Sequence, residues 1–576
     1  MALNDHQIHE VEAKLQSIYD SKNASYLMTE LLNLVDRYKD QVPDFYKKES
    51  FVSEKDTVLI TYGDSVQEAG EAPLQTLHDF LNDHIKPVVN GVHILPFYPY
   101  SSDDGFSVID YFQVDPELGE WKDIEAMSAN YDLMFDAVIN HISAGSDWFQ
   151  GYLKGDLAYR DYFIEADPEA DYSKVTRPRA LPLLTKFETA HGPKHIWTTF
   201  SEDQIDLNYK NPDVTVKILE LLLFYISKGA KMIRLDAIGF LWKEMGTTSI
   251  HLDQTHKMIQ AFKIIIESIA PEVILITETN VPHKDNISYF GSGYNEAAMV
   301  YQFPLPPLTL HAFLTGNAKQ LSEWADSLEE TTEETTFFNF LASHDGIGVR
   351  PVEGILESEE VEKMIETVYE HGGKVSYKDN GNGRKSPYEL NINYLDALSH
   401  PEDEQELKAA RFLAAQTILL SMAGVPGIYI HSLFGSRNYH QGVEETGRFR
   451  TINREKMDRQ TLEKELHDSE SLRYQVFSQF KRLIDLRTNE TAFHPNSPQE
   501  VLFLNDQVFA LRRTNKDHPN EQILALVNVS DKEQEIVTDA PAAQAAVKNL
   551  ITGQHLEVNN NKIKMRLKPY EAAWIK

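Results

Sequence analysis

An α/β fold, a (β/α)8 TIM barrel, is what the 576-residue sequence predicts, and three observations carry that expectation. Eight short apolar runs, β-branched or aromatic, recur at 57–61, 91–96, 133–140, 231–235, 273–277, 297–302, 337–342 and 425–430. Most of the gaps between them have helical periodicity, the alternation of a parallel barrel. Three of the runs end in a carboxylate: Lys231-Met-Ile-Arg-Leu-Asp236, Val273-Ile-Leu-Ile-Thr-Glu278 and Phe337-Phe-Asn-Phe-Leu-Ala-Ser-His344-Asp345. A single acid at a strand end often only caps the helix that follows. Three in succession, with Arg234 two residues before Asp236 and His344 beside Asp345, converge above the C-terminal face of such a barrel. Converging carboxylates are the apparatus of glycosidic-bond chemistry.

Taken in order, residues 1–52 carry Ile8, Val11, Leu15, Ile18, Leu27, Leu31, Leu32, Leu34 and Val35 at helical spacing. They predict a helical N-terminal extension for packing or assembly. The barrel begins over 53–142. Residues 143–215, rich in Tyr, Pro, Asp and Lys, are too long for a simple crossover and read as a subdomain inserted after the third strand. The barrel resumes over 216–345. A second insertion follows the seventh strand over 346–405, with the turn signal Asp379-Asn-Gly-Asn-Gly-Arg-Lys, and the barrel closes over 406–489. Both insertions leave the C-terminal face, where they can wall a site. The tail, 490–576, alternates short strands such as Val508-Phe-Ala-Leu and Ile523-Leu-Ala-Leu-Val with polar turns, as expected of an antiparallel β domain. No repeat of fixed period occurs.

The net charge of −33, from 55 basic and 88 acidic residues, argues against nucleic acid or an anionic membrane as partner. With no cysteine, disulfides and thiolate metal sites are excluded. The first residues lack a basic start followed by an apolar run, and no uninterrupted apolar stretch approaches 18 residues, so a cytoplasmic location is expected.

The segments Asp136-Ala-Val-Ile-Asn140-His141, Arg234-Leu-Asp236-Ala, Glu278-Thr-Asn280 and His344-Asp345 resemble, in order and strand context, the four motif regions of the α-amylase superfamily. Gly91-Val-His-Ile-Leu-Pro-Phe, Arg177-Pro-Arg179, Leu305-Pro-Pro-Leu-Thr-Leu-His311-Ala, His344-Asp-Gly-Ile-Gly348 and Ile452-Asn-Arg454 are similar to its sucrose phosphorylase group. The resemblance spans about 55–490. It implies a retaining mechanism, with Asp236 as nucleophile, Glu278 as general acid and then base, and Asp345 as stabiliser of an oxocarbenium-like transition state. Chemistry asks for the same division, an ionised Asp236 near Arg234 and a protonated Glu278. The resemblance further implies that His141 and His344 bond glucose hydroxyls and that Asp103 and Arg454 clamp the far side of one terminal glucose. Phe106 and Phe200 are candidate stacking surfaces. Many amylases bind calcium near the position of Asn140; the sucrose phosphorylase group generally does not, and no required metal is expected.

A phosphorylase must hold inorganic phosphate, its co-substrate, where a hydrolase holds water. Arg177 and Arg179 offer bidentate donors, with Lys186, Lys194 and His195 nearby. The acceptor side departs from the sucrose-specific pattern. Asn280 stands where those members carry histidine, Phe240 replaces a tyrosine, and Glu389, in Tyr388-Glu389-Leu390-Asn391, stands where they have glutamine. The helical N-terminus and Glu278-Thr-Asn-Val-Pro-His-Lys-Asp-Asn-Ile-Ser-Tyr289 look more like the branch that cleaves 2-O-α-D-glucosylglycerate with phosphate. That resemblance implies a small α-glucoside, phosphate, α-D-glucose 1-phosphate and D-glycerate as the molecules handled. The carboxylate of glycerate would be met by Asn280, Arg177 and the nearby lysines. Alternatives are a sucrose or sucrose 6'-phosphate phosphorylase, an α-glucoside hydrolase or transglucosidase, and a non-catalytic sugar-binding barrel.

Overall fold

The computed structural model describes residues 3–45, 50–86, 88–179, 181–379, 384–541 and 546–576. Eight parallel strands close a barrel in sequence order: β1 (Val58–Thr61), β2 (Gly91–Ile94), β3 (Asp132–Ala137), β4 (Ala230–Leu235), β5 (Ile274–Thr277), β6 (Met299–Tyr301), β7 (Thr336–Asn339) and β8 (Val425–Tyr429). Each falls on one of the eight apolar runs, with β3, β4 and β7 beginning one residue earlier than expected. The ring shuts where β1 pairs with β8, Val58 opposite Gly427. All but the first residue of β3 are buried. Strands covered on both faces need continuous apolar sequence, which is why the runs do not alternate.

Two antiparallel helices, α1 (Asp5–Ile18) and α2 (Ser21–Tyr38), lie on the outside of the barrel. Asn4 and Gln7 cap α1 reciprocally. The pair packs on the crossover helices α3 (Pro212–Ser227) and α4 (Asp253–Ile269), which flank β4. Val11, Leu15, Leu27, Leu31 and Leu34 are buried there, each contributing about 1.5–3 kcal/mol. Lys14 Nζ donates to Gln260 at 2.8 Å, Arg37 pairs with Glu220 at 2.6 Å, and the Tyr19 hydroxyl donates to the Tyr209 carbonyl. The extension is thus built into the wall behind β4.

Within 143–215 a helix (Asp147–Leu153) and a hairpin (Leu184–Thr189 with Gly192–Trp197) are followed by a short strand, Gln204–Asp206. That strand returns to pair with His141–Ser143 at the barrel rim. Asn211 caps α3, with Pro212 in its first turn, so this crossover helix starts at 212, not after 215. In 346–405 a helix (Ser358–Glu370) precedes the strands Lys374–Asp379 and Lys385–Asn391, against which Ile347–Gly348 makes a third strand. Most of the predicted turn there, 380–383, lies outside the described residues. The tail forms a four-stranded antiparallel sheet of 499–501, 508–514, 522–528 and 572–575, with two strand pairs beside it. Trp574 Nε1 and Arg513 anchor it to Ser421 at the end of the helix Gln405–Ser421. Among the described residues no helix is long and apolar enough to cross a membrane.

Candidate active site

At the C-terminal ends of the strands one pocket is lined by Asp236, Glu278 and Asp345 together. Asp236 is the residue after β4 and Glu278 the residue after β5, so parallel register alone brings them to one level: Leu235 lies opposite Thr277. Arg234, the last residue but one of β4, is buried between the acids. Its Nη1 bonds Asp136 and, at 2.8 Å, Asp236, while Nη2 stands 3.8 Å from Glu278. His93 Nε2 meets the other oxygen of Asp136 at 2.7 Å. Ala237, in the left-handed region at φ +48°, turns its N–H onto Glu278 at 3.1 Å.

Burial pushes Asp236 up to about 8 and raises Glu278 as well, against the pull of Arg234. The two buried acids face each other as well as Asp136 and Asp345, and their titration belongs to the pair. Asp345 goes the opposite way: although burial raises it, Arg450, His344 and Arg454 hold it well below the usual carboxylate range. Arg450 Nη1 lies 2.6 Å from Asp345, and the same guanidinium grips Glu389 at 2.9 and 3.0 Å. His344 and His141 are buried, and burial lowers both, His344 to about 3, so both rings are neutral near pH 7. Phe106 stacks on His344, centroids 4.8 Å apart.

Asp103 sits in a turn that follows β2. Asp103 and Asp104 have φ of 54° and 49°, and Gly105, at φ 106°, has no room for a Cβ, which would lie 2.7 Å from the Pro96 carbonyl. Two consecutive left-handed acids are strained, and the surroundings hold them. Arg179 Nη2 pairs with Asp103 at 2.9 Å, Gln204 Nε2 reaches Asp103 and the Phe106 carbonyl, and the hydroxyls of Ser101, Ser102 and Ser107 all donate to Asp203. Arg454 bonds the neighbouring Asp104 and the His344 carbonyl, with Asp345 at 3.7 Å.

Of the residues predicted for the site, Asp103, Phe106, His141, Arg179, Phe200, Arg234, Asn280, His344 and Glu389 line the pocket with the three acids. Arg454 stands behind that lining. Arg177 does not line the pocket, and its guanidinium donates to the Leu181 carbonyl. The expected basic cluster also disperses. Lys186 and Lys194 lie on an exposed hairpin and pair with Glu188 and Glu165, because a charge-rich hairpin satisfies its own charges. Of that set only Arg179 faces the pocket. Sequence reasoning missed Arg450, Gln204, Tyr301 and Tyr388, all on the wall. Arg450 belongs to a short 3-10 turn more than a hundred residues after Asp345, where no local pattern marks it.

Beneath the rim, the position between Asn140 and Asp206 is filled by Lys243. Its buried ammonium donates to Asn140 Oδ1 and pairs with Asp206, each at 2.6 Å. Among the described residues no cluster of His, Asp or Glu has metal-ligating geometry.

The catalytic-domain model of the α-amylase family matches residues 81–368. The chain is 49% identical over 537 residues to a glucosylglycerate phosphorylase of Allomeiothermus silvanus, covering 92% of each chain. It is 47% identical over 525 residues to a glucosylglycerate phosphorylase of Escherichia coli, covering 91% of this chain and 92% of that one. Sucrose phosphorylases stand further off, at 28–30% identity. The fold superposes on a crystal structure of a sucrose 6F-phosphate phosphorylase from Thermoanaerobacter thermosaccharolyticum with a TM-score of 0.72 at 23% identity, covering 89% of this chain and 98% of that one. The chain therefore belongs to the α-amylase family and, within it, to the sucrose phosphorylase group of enzymes, glycosyltransferases of the phosphorylase type.

Proposed function

We propose that this protein is a retaining glucosylglycerate phosphorylase, converting 2-O-α-D-glucosylglycerate and phosphate into α-D-glucose 1-phosphate and D-glycerate. The observation that carries this reading is near-half identity over nine tenths of the chain to relatives of that activity, together with all three acids gathered around Arg234. In this mechanism Asp236 attacks C1 of the glucosyl unit and Glu278 gives its proton to the departing glycerate oxygen, leaving a covalent glucosyl ester. A phosphate oxygen then attacks the same carbon, Asp236 departs as carboxylate, and Glu278 takes up a phosphate proton. Two inversions give net retention.

The proton needed at the start is supported by electrostatics. One guanidinium does not neutralise two further carboxylates beside Asp136, so the pair keeps a proton near neutrality. Arg234 is at 2.8 Å from Asp236 and 3.8 Å from Glu278, which favours the charge on Asp236 and the proton on Glu278. Asp345, held ionised by Arg450, is disposed to bond sugar hydroxyls as positive charge grows at C1. Neutral His141 and His344 are suited to bond hydroxyls, and Phe106 and Phe200 to border the ring. Arg179, over the face of Phe200 at 5.5 Å, is the phosphate-facing cation in this reading.

The test is direct. Purified protein is given phosphate with glucosylglycerate, sucrose, sucrose 6'-phosphate or glucosylglycerol, and α-D-glucose 1-phosphate is measured. Release from glucosylglycerate, dependent on phosphate, is expected. Release from sucrose but not from glucosylglycerate would overturn the substrate, and equal turnover without phosphate would make the protein a hydrolase.

A further inference from the structure

The arginines of the pocket wall are all committed to acids. Arg234 serves Asp136 and Asp236, Arg450 serves Asp345 and Glu389, and Arg179 serves Asp103. Arg350 is different. It makes no side-chain hydrogen bond or ion pair with any of the described residues, and its Nε is buried without a partner. Arg487 and Arg513 are also buried without a carboxylate, but main-chain carbonyls accept from their guanidiniums, whereas the Arg350 side chain has neither kind of partner among the described residues. Leaving such a charge unpaired is costly.

Its place in the fold suggests what pairs with it. Arg350 stands two residues past Gly348, a wall residue, on a segment pinned to the pocket: Gly348 pairs with Glu389, and Val349 N–H donates to the Tyr388 carbonyl at 3.1 Å. Gly348 packs on Asn280, where a Cβ would lie 3.0 Å from Nδ2. Asn280 is two residues past Glu278 and carries a buried Oδ1 with no partner. The charge of Arg350 also reaches His251, which it helps to lower, and the His251 ring packs against Gly239, three residues after Asp236. Arg350 itself does not line the pocket; it follows by two residues the Gly348–Asn280 contact and its charge is felt at His251, which puts it near the junction of the loops after β4, β5 and β7.

We propose that Arg350, with Asn280, forms the subsite for the carboxylate of the acceptor, separate from the phosphate-facing Arg179. The inference rests on the reading that the acceptor is glycerate. In a 2-O-glucoside of glycerate the carboxylate is bonded to the carbon that bears the glycosidic oxygen. The anion therefore lies close to the proton on Glu278, where Asn280 stands. A guanidinium meets a carboxylate through two parallel N–H donors, and a hydroxymethyl group gives it no such partner. The same pocket side then discriminates glycerate from glycerol by charge, while phosphate exchange depends on a different arginine.

The experiment runs the reaction in the synthetic direction, from α-D-glucose 1-phosphate with D-glycerate or glycerol, and measures KM for phosphate in phosphorolysis. R350Q is expected to raise KM for D-glycerate by about tenfold or more, the worth of one charge-assisted pair. KM values for glycerol and phosphate should stay within about twofold, since neither uses that pair. R350K, which keeps the charge but loses the fork, should fall between. An unchanged preference for glycerate over glycerol in R350Q overturns the proposal, as does an equal loss for phosphate. If R350Q does not fold, N280A with the same acceptors decides: loss of the preference supports the subsite and its retention overturns it. If the wild-type enzyme itself fails to use glycerate, the proposed function fails, a result distinct from both.

Discussion

The two sides of the pocket are built differently. On the glucose side every acid is paired with a cation: Asp103 with Arg179, Asp104 with Arg454 and Asp345 with Arg450, while the His141 ring meets the Phe106 carbonyl. Two left-handed acids are held there in spite of their strain. On the other side of Glu278, Asn280 keeps a buried oxygen without a partner, and so does Arg350 its Nε. The contrast suits a two-step exchange. One glucosyl unit stays in a preorganised cradle, while glycerate and phosphate succeed each other opposite it and supply the missing partners.

The contrast is broken most severely at its centre. Asp236→Asn is expected to lower turnover by about 10^4-fold or more while the melting temperature rises. The second sign follows from the crowded pair: two buried acids that keep their shared proton until about 8, and that ionise at ordinary values when unfolded, lose stability as pH climbs between the two. The gain in Tm should therefore be larger at pH 8 than at pH 5, and a Tm that drops at both would refute the crowded-acid account. Next comes the cradle itself. Arg450→Met strips Asp345 and Glu389 of their shared cation. It should cut kcat for every acceptor alike by about 10^2-fold and lower stability by about 3 kcal/mol, read by steady-state rates and urea denaturation. An acceptor-dependent loss would put Arg450 on the wrong side. The pH profile of the wild type is subtler. Activity needs one proton on the Asp236–Glu278 pair, so the alkaline limb should fall through about 8 as the last proton leaves; a limb unchanged in an active Glu278 variant would assign it elsewhere. The smallest effect is expected from Phe240→Tyr, opposite Phe200 on the acceptor side. Its hydroxyl should change acceptor KM by no more than about threefold, the worth of one weak hydrogen bond, and leave exchange of glucose 1-phosphate with phosphate unaltered.

The barrel was legible because strands buried on both faces demand unbroken apolar runs, and the acids because they interrupt those runs at a fixed place. Local logic of that kind ends at the loops. Arg177 and Arg179 share one dipeptide spacing, yet only Arg179 faces the pocket, since the turn between them sends one guanidinium to the Leu181 carbonyl and the other to Asp103. Lys186 and Lys194 look like an anion site in sequence and are hairpin ion pairs in space. Arg450 and Gln204 act on residues about a hundred positions away, a relation that only closure of the barrel creates. Glu389 reads in the sequence as an acceptor-side residue. Its buried, bidentate union with Arg450 instead ties the second insertion to the stabiliser of the glucose side.

Lys243 gives the architecture a further property. Its ammonium joins the end of β3 to the strand by which the first insertion comes back to the rim, and it is carried covalently by the loop that follows the nucleophile. A dissolved divalent ion in that place would be in competition with the phosphate this enzyme class consumes, which forms sparingly soluble salts with such ions. A lysine cannot be extracted by the co-substrate or by a chelator. The rim can thus keep its shape at any phosphate concentration, so that supply of phosphate controls the direction of the reaction without touching the integrity of the catalyst.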